Sequence, residues 1–209
     1  MKKLKVIIAL ALVVLLSTTI IGCNKTEGSK GLGYSGDRQD KLSWEVHLGE
    51  CTEKKIIIPP TFHDRPVITI GDFRTLVGDS RIVSVTIPSS VTRINKAAFA
   101  KCKNLESITI PDSVTSIGEN AFSCCEKLES ITIPQGVSLI EAYTFAGCIN
   151  LTSVTIGANV TKIRGNAFYD CPALKDVYYA GTEAEWNAIT IAEGNEALLN
   201  ATIHFNSKN

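Results

Sequence analysis

The chain has 209 residues, enough for one folded domain or two small ones, and its 44% hydrophobic and 20% charged content is ordinary for a protein with a packed core. Its 21 basic residues balance 21 acidic ones, which excludes the basic excess of a typical nucleic-acid-binding module. Three His and one Met are poor material for a metal or haem site, so the seven Cys need an account of their own.

The first element in chain order is a leader over residues 1–22. Lys2, Lys3 and Lys5 open it, an apolar run follows from Val6 to Leu16, and Ser17-Thr18-Thr19 softens its end. The run is short against the ~20 residues that cross a bilayer, so it predicts an export signal rather than a permanent span. Ile20-Ile21-Gly22-Cys23 then resembles the bacterial lipobox. That resemblance implies cleavage before Cys23 and a diacylglycerol on its thiol. The alternative is an uncleaved anchor helix with an incidental Cys. From Cys23 to Asp40 the chain is rich in Gly and polar residues, which predicts a flexible tether over 23–40.

Four segments, 82–104, 105–127, 128–150 and 151–173, align without a gap, each starting where the last one ends, so the period is constant. Such a repeat predicts a solenoid, because one coil cannot bury its apolar residues alone and stacked coils bury them against each other. Within each coil, Val85-Thr86-Ile87 and its equivalents alternate in, out and in, the period of a strand. Pro88, Pro111 and Pro134 end that strand because proline donates no ladder hydrogen bond. A second aliphatic pair (Val91/Ile94, Val114/Ile117, Val137/Ile140, Val160/Ile163) predicts a shorter extended segment on the opposite side. The stretch from Asn95 to Cys102 predicts one helical or 3₁₀ turn that drops Phe99 and Cys102 inward, with Phe122/Cys125, Phe145/Cys148 and Phe168/Cys171 as their counterparts.

These residues resemble the BspA-like leucine-rich repeat family, whose pattern runs from a strand ending in Ile-Pro through Val-Thr-x-Ile-Gly to Ala-Phe-x-x-Cys. The resemblance covers about residues 50–206. Cys51 to Pro59 matches the family's lead-in, and Val67 to Gly71 with Phe73 a degenerate first repeat. Leu174 to Tyr179 starts a fifth strand. Thr182 and Glu185 have capping-box spacing, and Ala201 to Phe205 suits a final edge strand. The fold expected is a β-rich leucine-rich-repeat solenoid. One face carries a parallel sheet, the other short strands and helical turns, and a non-repeating C-terminal cap closes the end. Residues 41–209 form it, as lead-in (41–81), repeats (82–173) and cap (174–209).

A cysteine once in every repeat invites a metal ladder or a row of disulfides. Structural zinc sites use Cys two to four apart, and a ladder Cys with equivalent neighbours on both sides specifies no unique pair. Buried structural thiols are the plainer expectation for Cys102, Cys125, Cys148 and Cys171. Cys124 shares its column with Lys101, Gly147 and Asp170 and is expected to be exposed; Cys51 stays undecided. His47, Cys51 and His63 permit a zinc reading, but their strand-and-turn context favours a packed or solvated group. No phosphate-binding Gly loop or nucleophile elbow is present, and the acids are scattered and mostly at outward repeat positions, which makes no case for a catalytic pair, so no enzyme and no cofactor are expected.

The outward columns of the main strands carry more information. They are Ser84, Ser107, Ser130, Ser153 and Asp176; Thr86, Thr109, Thr132, Thr155 and Tyr178; and Val83, Glu106, Glu129, Thr152 and Lys175. Ser and Thr suit an exposed strand face for its own sake. The same columns also offer a partner a regular hydroxyl-lined surface, with Ser107, Thr109, Ser130, Thr132, Ser153, Thr155 and Tyr178 as contact candidates. Tyr179 faces in, and Trp186 packs the last coil. Family resemblance implies surface adhesion, so the expected function is non-enzymatic recognition of a protein partner. The chain would act as a monomer outside the cytoplasm, held to the membrane by lipid on Cys23. An envelope-glycan module and an assembly partner of another envelope protein remain alternatives.

Overall fold

The computed structural model describes residues 28–36, 42–47, 49–71 and 80–207. The leader, Cys23 and Phe73 lie outside the described residues. The described chain is a stack of coils held by three lateral ladders, two of strands and one of turns.

The main ladder follows the alternating segments. Its strands are β3 (Lys55–Ile57), β6 (Ser84–Thr86), β8 (Ser107–Thr109), β10 (Ser130–Ile133), β12 (Ser153–Ile156), β14 (Asp176–Tyr179) and β16 (Thr202–His204). All its pairings are parallel, and register keeps each column aligned: Ser84 faces Ser107, and Ser130, Ser153, Asp176 and Thr202 follow one another. Val85, Ile108, Ile131, Val154 and Val177 point into the core. The second ladder runs along the other side through β1 (Gly33–Gly36), β2 (Trp44–His47), β5 (Arg65–Ile70), β7 (Arg93–Ile94), β9 (Ser116–Ile117), β11 (Leu139–Ile140), β13 (Lys162–Ile163) and β15 (Thr190–Ile191). Each two-residue strand from β7 to β13 buries its Ile.

The segment expected as one helical or 3₁₀ turn makes i→i−3 bonds at alternate amides without continuing into a helix, and a third ladder forms there. Phe99 N–H donates to the Ala121 carbonyl, Phe122 to Thr144 and Phe145 to Ala167, with parallel bonds from Ala97 to Glu119 and Lys101 to Ser123. The alternate amides turn back on their own coil, as Cys102 does onto the Phe99 carbonyl. A helix directs every amide along its own axis. These coils instead place Ala97, Asn120, Tyr143 and Asn166, and again Lys101, Cys124, Gly147 and Asp170, at left-handed φ of 52° to 73°. That reversal turns every second amide sideways toward the next coil.

Inside the stack, Phe99, Phe122, Phe145 and Phe168 form one column with centroids 5.2–5.6 Å apart and planes within 23° of parallel. All four are fully buried. The ladder cysteines form no disulfide and are buried in the same core, as is Cys51, whereas Cys124 is half-buried.

The solenoid starts earlier than the repeat pattern indicates. Residues 28–36, expected as tether, are part of it: Ser29 N–H donates to the Ile57 carbonyl, Ile57 N–H donates to Ser29 Oγ, and β1 pairs antiparallel with β2. A single serine so positioned satisfies the outer edge of β3, which would otherwise be an open strand. In the first complete coil, β4 (Thr61–Phe62) folds back on β5, with His63 and Asp64 both left-handed in the two-residue turn. That hairpin lengthens the step from Lys55 to its partner Ser84 beyond one repeat length and hides the coil from the repeat pattern.

The cap matches its local signals. α1 (Glu183–Asn187) starts on Thr182, whose hydroxyl accepts from Glu185 N–H while the Glu185 carboxylate accepts from Thr182 N–H. Those bonds hold the Glu185 carboxyl below its usual range. α2 (Glu196–Leu199) follows Asn195, which is completely buried. Asn195 Oδ1 accepts from Phe168 N–H at 3.0 Å, and its Nδ2 donates to the Arg164 and Ala192 carbonyls. With Asn166 N–H donating to the Glu193 carbonyl, the Asn195 side chain continues the turn ladder where the next coil would stand.

Both strand ladders break at one boundary. Among the described residues no pairing joins β8 to β10 or β9 to β11. The coils at 105–127 and 128–150 are joined instead by the turn ladder, the Phe column and the side chains of Cys148 and Asn150, which donate to the Phe122 and Glu126 carbonyls. Elsewhere a further side chain reaches back from the start of the second ladder's segment: Ser90 to the Val67 carbonyl, Ser113 to Val91, Asn159 to Gln135. The equivalent residue here is Gly136. An added Cβ there would meet the Val114 carbonyl oxygen at 2.7 Å, so the coils approach too closely for a side chain.

Candidate functional site on the outward sheet face

Strand alternation places Ser107, Thr109, Ser130, Thr132, Ser153, Thr155 and Tyr178 on one side of the main ladder. The first four and Tyr178 are exposed, and Ser153 and Thr155 are half-buried. The two rows continue past the repeats. Register puts Lys55 beside Ser84 and Ile57 beside Thr86 at one end, and Thr202 beside Asp176 and His204 beside Tyr178 at the other. The face is therefore a hydroxyl track between two chemically distinct ends. Near the first end, a cavity of about 400 Å³ is lined by Gly28, Ser29, Lys30, Glu53 and Ile57.

The far end contains the most organised side-chain group on the face. The Tyr178 and His204 rings stack at 4.7 Å between centroids and 15° between planes. That separation equals one strand spacing. His204 Nε2 lies 2.8 Å from Asp176 Oδ1, which orients the imidazole. Asp176 and Tyr178 were legible as outward positions; His204 was not. It follows Tyr178 by more than one repeat length, because the cap inserts extra chain before β16, and a column drawn at the repeat period does not reach it.

Other candidates fall elsewhere. Tyr179 points inward; its hydroxyl donates to the Ala158 carbonyl and its ring meets Trp186 edge-on. Cys51 is buried, while His63 is exposed in the β4–β5 turn against Phe62 and Trp44. No group of three or more His, Cys, Asp or Glu able to hold a metal occurs among the described residues. Burial pushes the Cys125 and Cys148 thiols well up, and Cys171 to about 11, which opposes thiolate chemistry. Tyr143 and Tyr169 are exposed on the turn side, away from the sheet face.

Six copies of the BspA type leucine rich repeat region match residues 75–189. The chain belongs to the BspA-type leucine-rich repeat family. Its solenoid is similar to the crystal structure of a T. pallidum leucine-rich repeat protein, at 26% identity and a TM-score of 0.68 over 82% of each chain. A leucine-rich cell surface protein of Faecalibacterium prausnitzii is 25% identical, with a TM-score of 0.58; 90% of this chain covers 56% of that one. The pneumococcal vaccine antigen PcpA shares the fold at 17% identity and a TM-score of 0.55, over 75% of this chain and 40% of that one. No curated protein matches the chain. BspA-type proteins with these structures are repeat scaffolds, and nothing in the site or in these likenesses points to catalysis.

Proposed function

We propose that this BspA-type protein is a cell-surface recognition lipoprotein that binds a protein partner through the outward face of its main sheet. The observation that carries this is the face itself: rows of short hydroxyl side chains held in register from Ser84 to Thr109 and from Ser130 to Thr155, with exposed Ile57 at one end and Tyr178 at the other. Short side chains lose little rotamer freedom when covered, and exposed apolar or aromatic anchors at the ends of a track supply contact energy. Surface display is supported by the kinship with a cell surface protein and a vaccine antigen. The membrane attachment is assigned to lipid on Cys23.

The test is a screen of the chain against protein and glycan arrays, repeated with Thr109→Lys/Thr132→Lys. Both threonines are exposed, so the fold should tolerate the change. Two added charges in mid-track should weaken a protein ligand at least ~10-fold, or about 1.4 kcal/mol, with no change in melting temperature. Ser116→Lys/Ser138→Lys, in β9 and just before β11 on the other side of the stack, should leave binding intact. A ligand that binds the Thr109→Lys/Thr132→Lys variant normally refutes the sheet-face site, and a hit confined to glycans replaces the protein partner with a sugar.

A further inference from the structure

We propose that the C-terminal end of the sheet face, formed by Asp176, Tyr178 and His204 over a floor of Ser153 and Thr155, is a subsite for an arginine side chain presented by the partner. This rests on the recognition role proposed above and adds the chemistry of the group recognised.

Three features of the group converge on a flat cation. First, Asp176 is the one carboxylate in the two outward rows of the main strands, from Lys55 and Ile57 to Thr202 and His204. Its side chain has His204 as its one partner among the described residues, on Oδ1, so Oδ2 keeps its acceptor capacity. Second, His204 covers only one face of the Tyr178 ring. Register places Thr155 on the other flank of Tyr178, so the second ring face turns toward the hydroxyl track, and Tyr178 remains 38% exposed. Third, the floor there is low: the residues in register beside Asp176 and Tyr178 are the short Ser153 and Thr155, and both keep partial exposure. A group resting on that floor meets an aromatic face on one side and a carboxylate oxygen beside it.

A guanidinium fits these demands better than the competing groups. It is planar, stacks on an aromatic face, carries only donors, and matches carboxylate and hydroxyl acceptors in a fixed fork. An ammonium presents a compact, strongly hydrated charge with no plane to stack. A sugar ring also stacks on tyrosine but brings no charge for Asp176. The opposite end of the face complements this polarity. Lys55 stands in the same outward row as Asp176 at the far end of the stack, so a partner laid along the track would set an acidic group at Lys55 and its arginine at Asp176.

The experiment is an NMR titration of the isotopically labelled full chain with N-acetylarginine methylamide, N-acetyllysine methylamide and methyl β-glucopyranoside. Arginine should shift the ring signals of Tyr178 and His204 saturably, with the lysine probe at least ~5-fold weaker. Asp176→Asn and Tyr178→Ala should each weaken arginine about tenfold at unchanged melting temperature, and Tyr178→Phe, which keeps the stacking face, should not. Shifts from the glucoside without shifts from arginine would make this a sugar subsite and overturn the proposal; so would no response to any probe. With a partner in hand the two ideas separate. Binding abolished by Thr109→Lys/Thr132→Lys but untouched by Asp176→Asn overturns the subsite and leaves the sheet face standing.

Discussion

The thiol of Cys148 donates to the carbonyl oxygen of Phe122, one coil earlier, at 3.2 Å. Cys125 does the same to Phe99 and Cys171 to Phe145. Each of these carbonyls already accepts from the amide three residues on in its own coil, and the thiol takes the second lone pair. The position requires a small apolar body with one weak donor, which is why cysteine recurs there without any redox or metal role.

Native alkylation should therefore label Cys124 first, and Cys102, Cys125, Cys148 and Cys171 only after denaturation. The raised thiol pKa values also set a pH dependence. A free thiol titrates near 8.5, while burial holds Cys171 at about 11 and Cys125 and Cys148 well above their usual value. Because the unfolded chain releases these protons before the folded one does, stability is fully present below about pH 8.5 and falls as pH rises toward 11. A melting temperature that stays level from pH 8 to 10.5, or a peptide map with disulfides between ladder positions, would contradict this account.

Phe122 stacks between Phe99 and Phe145, whereas Phe168 has a ring on one side only among the described residues. Phe122→Ala should cost about 3–5 kcal/mol, a large part of a domain's stability, and should exceed Phe168→Ala. Urea denaturation of the two variants measures the difference.

Asn195→Ala leaves Phe168 N–H and the Arg164 and Ala192 carbonyls without their buried partner. A loss of about 2–4 kcal/mol is expected, with fast hydrogen exchange at the Phe168 amide. Asn195→Asp keeps the acceptor but removes both donors and buries a charge, so it should be worse than Ala.

At the interrupted boundary, the amides of Glu129, Ser138 and Glu141 lack the bond their counterparts make; Thr152, Thr161 and Arg164 donate to Glu129, Ser138 and Ile140. Their hydrogen exchange should be the faster in each comparison, because a solvated amide needs no opening step. Thr161 Oγ1 also donates to the Ser138 carbonyl across its boundary. Ser138 carries the same hydroxyl without the branch, so Ser138→Thr, which adds a β-branched methyl suited to an extended segment, should stabilise by about 0.5 kcal/mol. Equal exchange across all boundaries would show that the strand ladders are continuous.

For the membrane attachment, Cys23→Ala should move the protein from the membrane fraction to a soluble or unprocessed form. Normal processing with unchanged membrane retention would exclude lipid on Cys23.

The repeat itself was legible because a strict period states each requirement four times. The inward Phe and Cys columns, the outward Ser and Thr rows and the strand-ending prolines all follow from one register, and so does the capping box at Thr182, whose partner Glu185 is close in sequence. What only the tertiary structure decided lies wherever contacts leave that period. Ala97, Lys101 and Tyr143 give no local sign of a left-handed backbone, yet stacked coils impose it because only then do alternate amides reach the neighbour. Ser29 reads as linker until β3 offers it an open edge, and Asn195 reads as a loop residue until the last coil leaves Phe168 N–H without a partner. The meeting of His204 with Tyr178 and Asp176 depends on the length of the cap between them. A periodic pattern specifies contacts between equivalent positions; a contact made once, across an irregular span, has its energy only in the folded state.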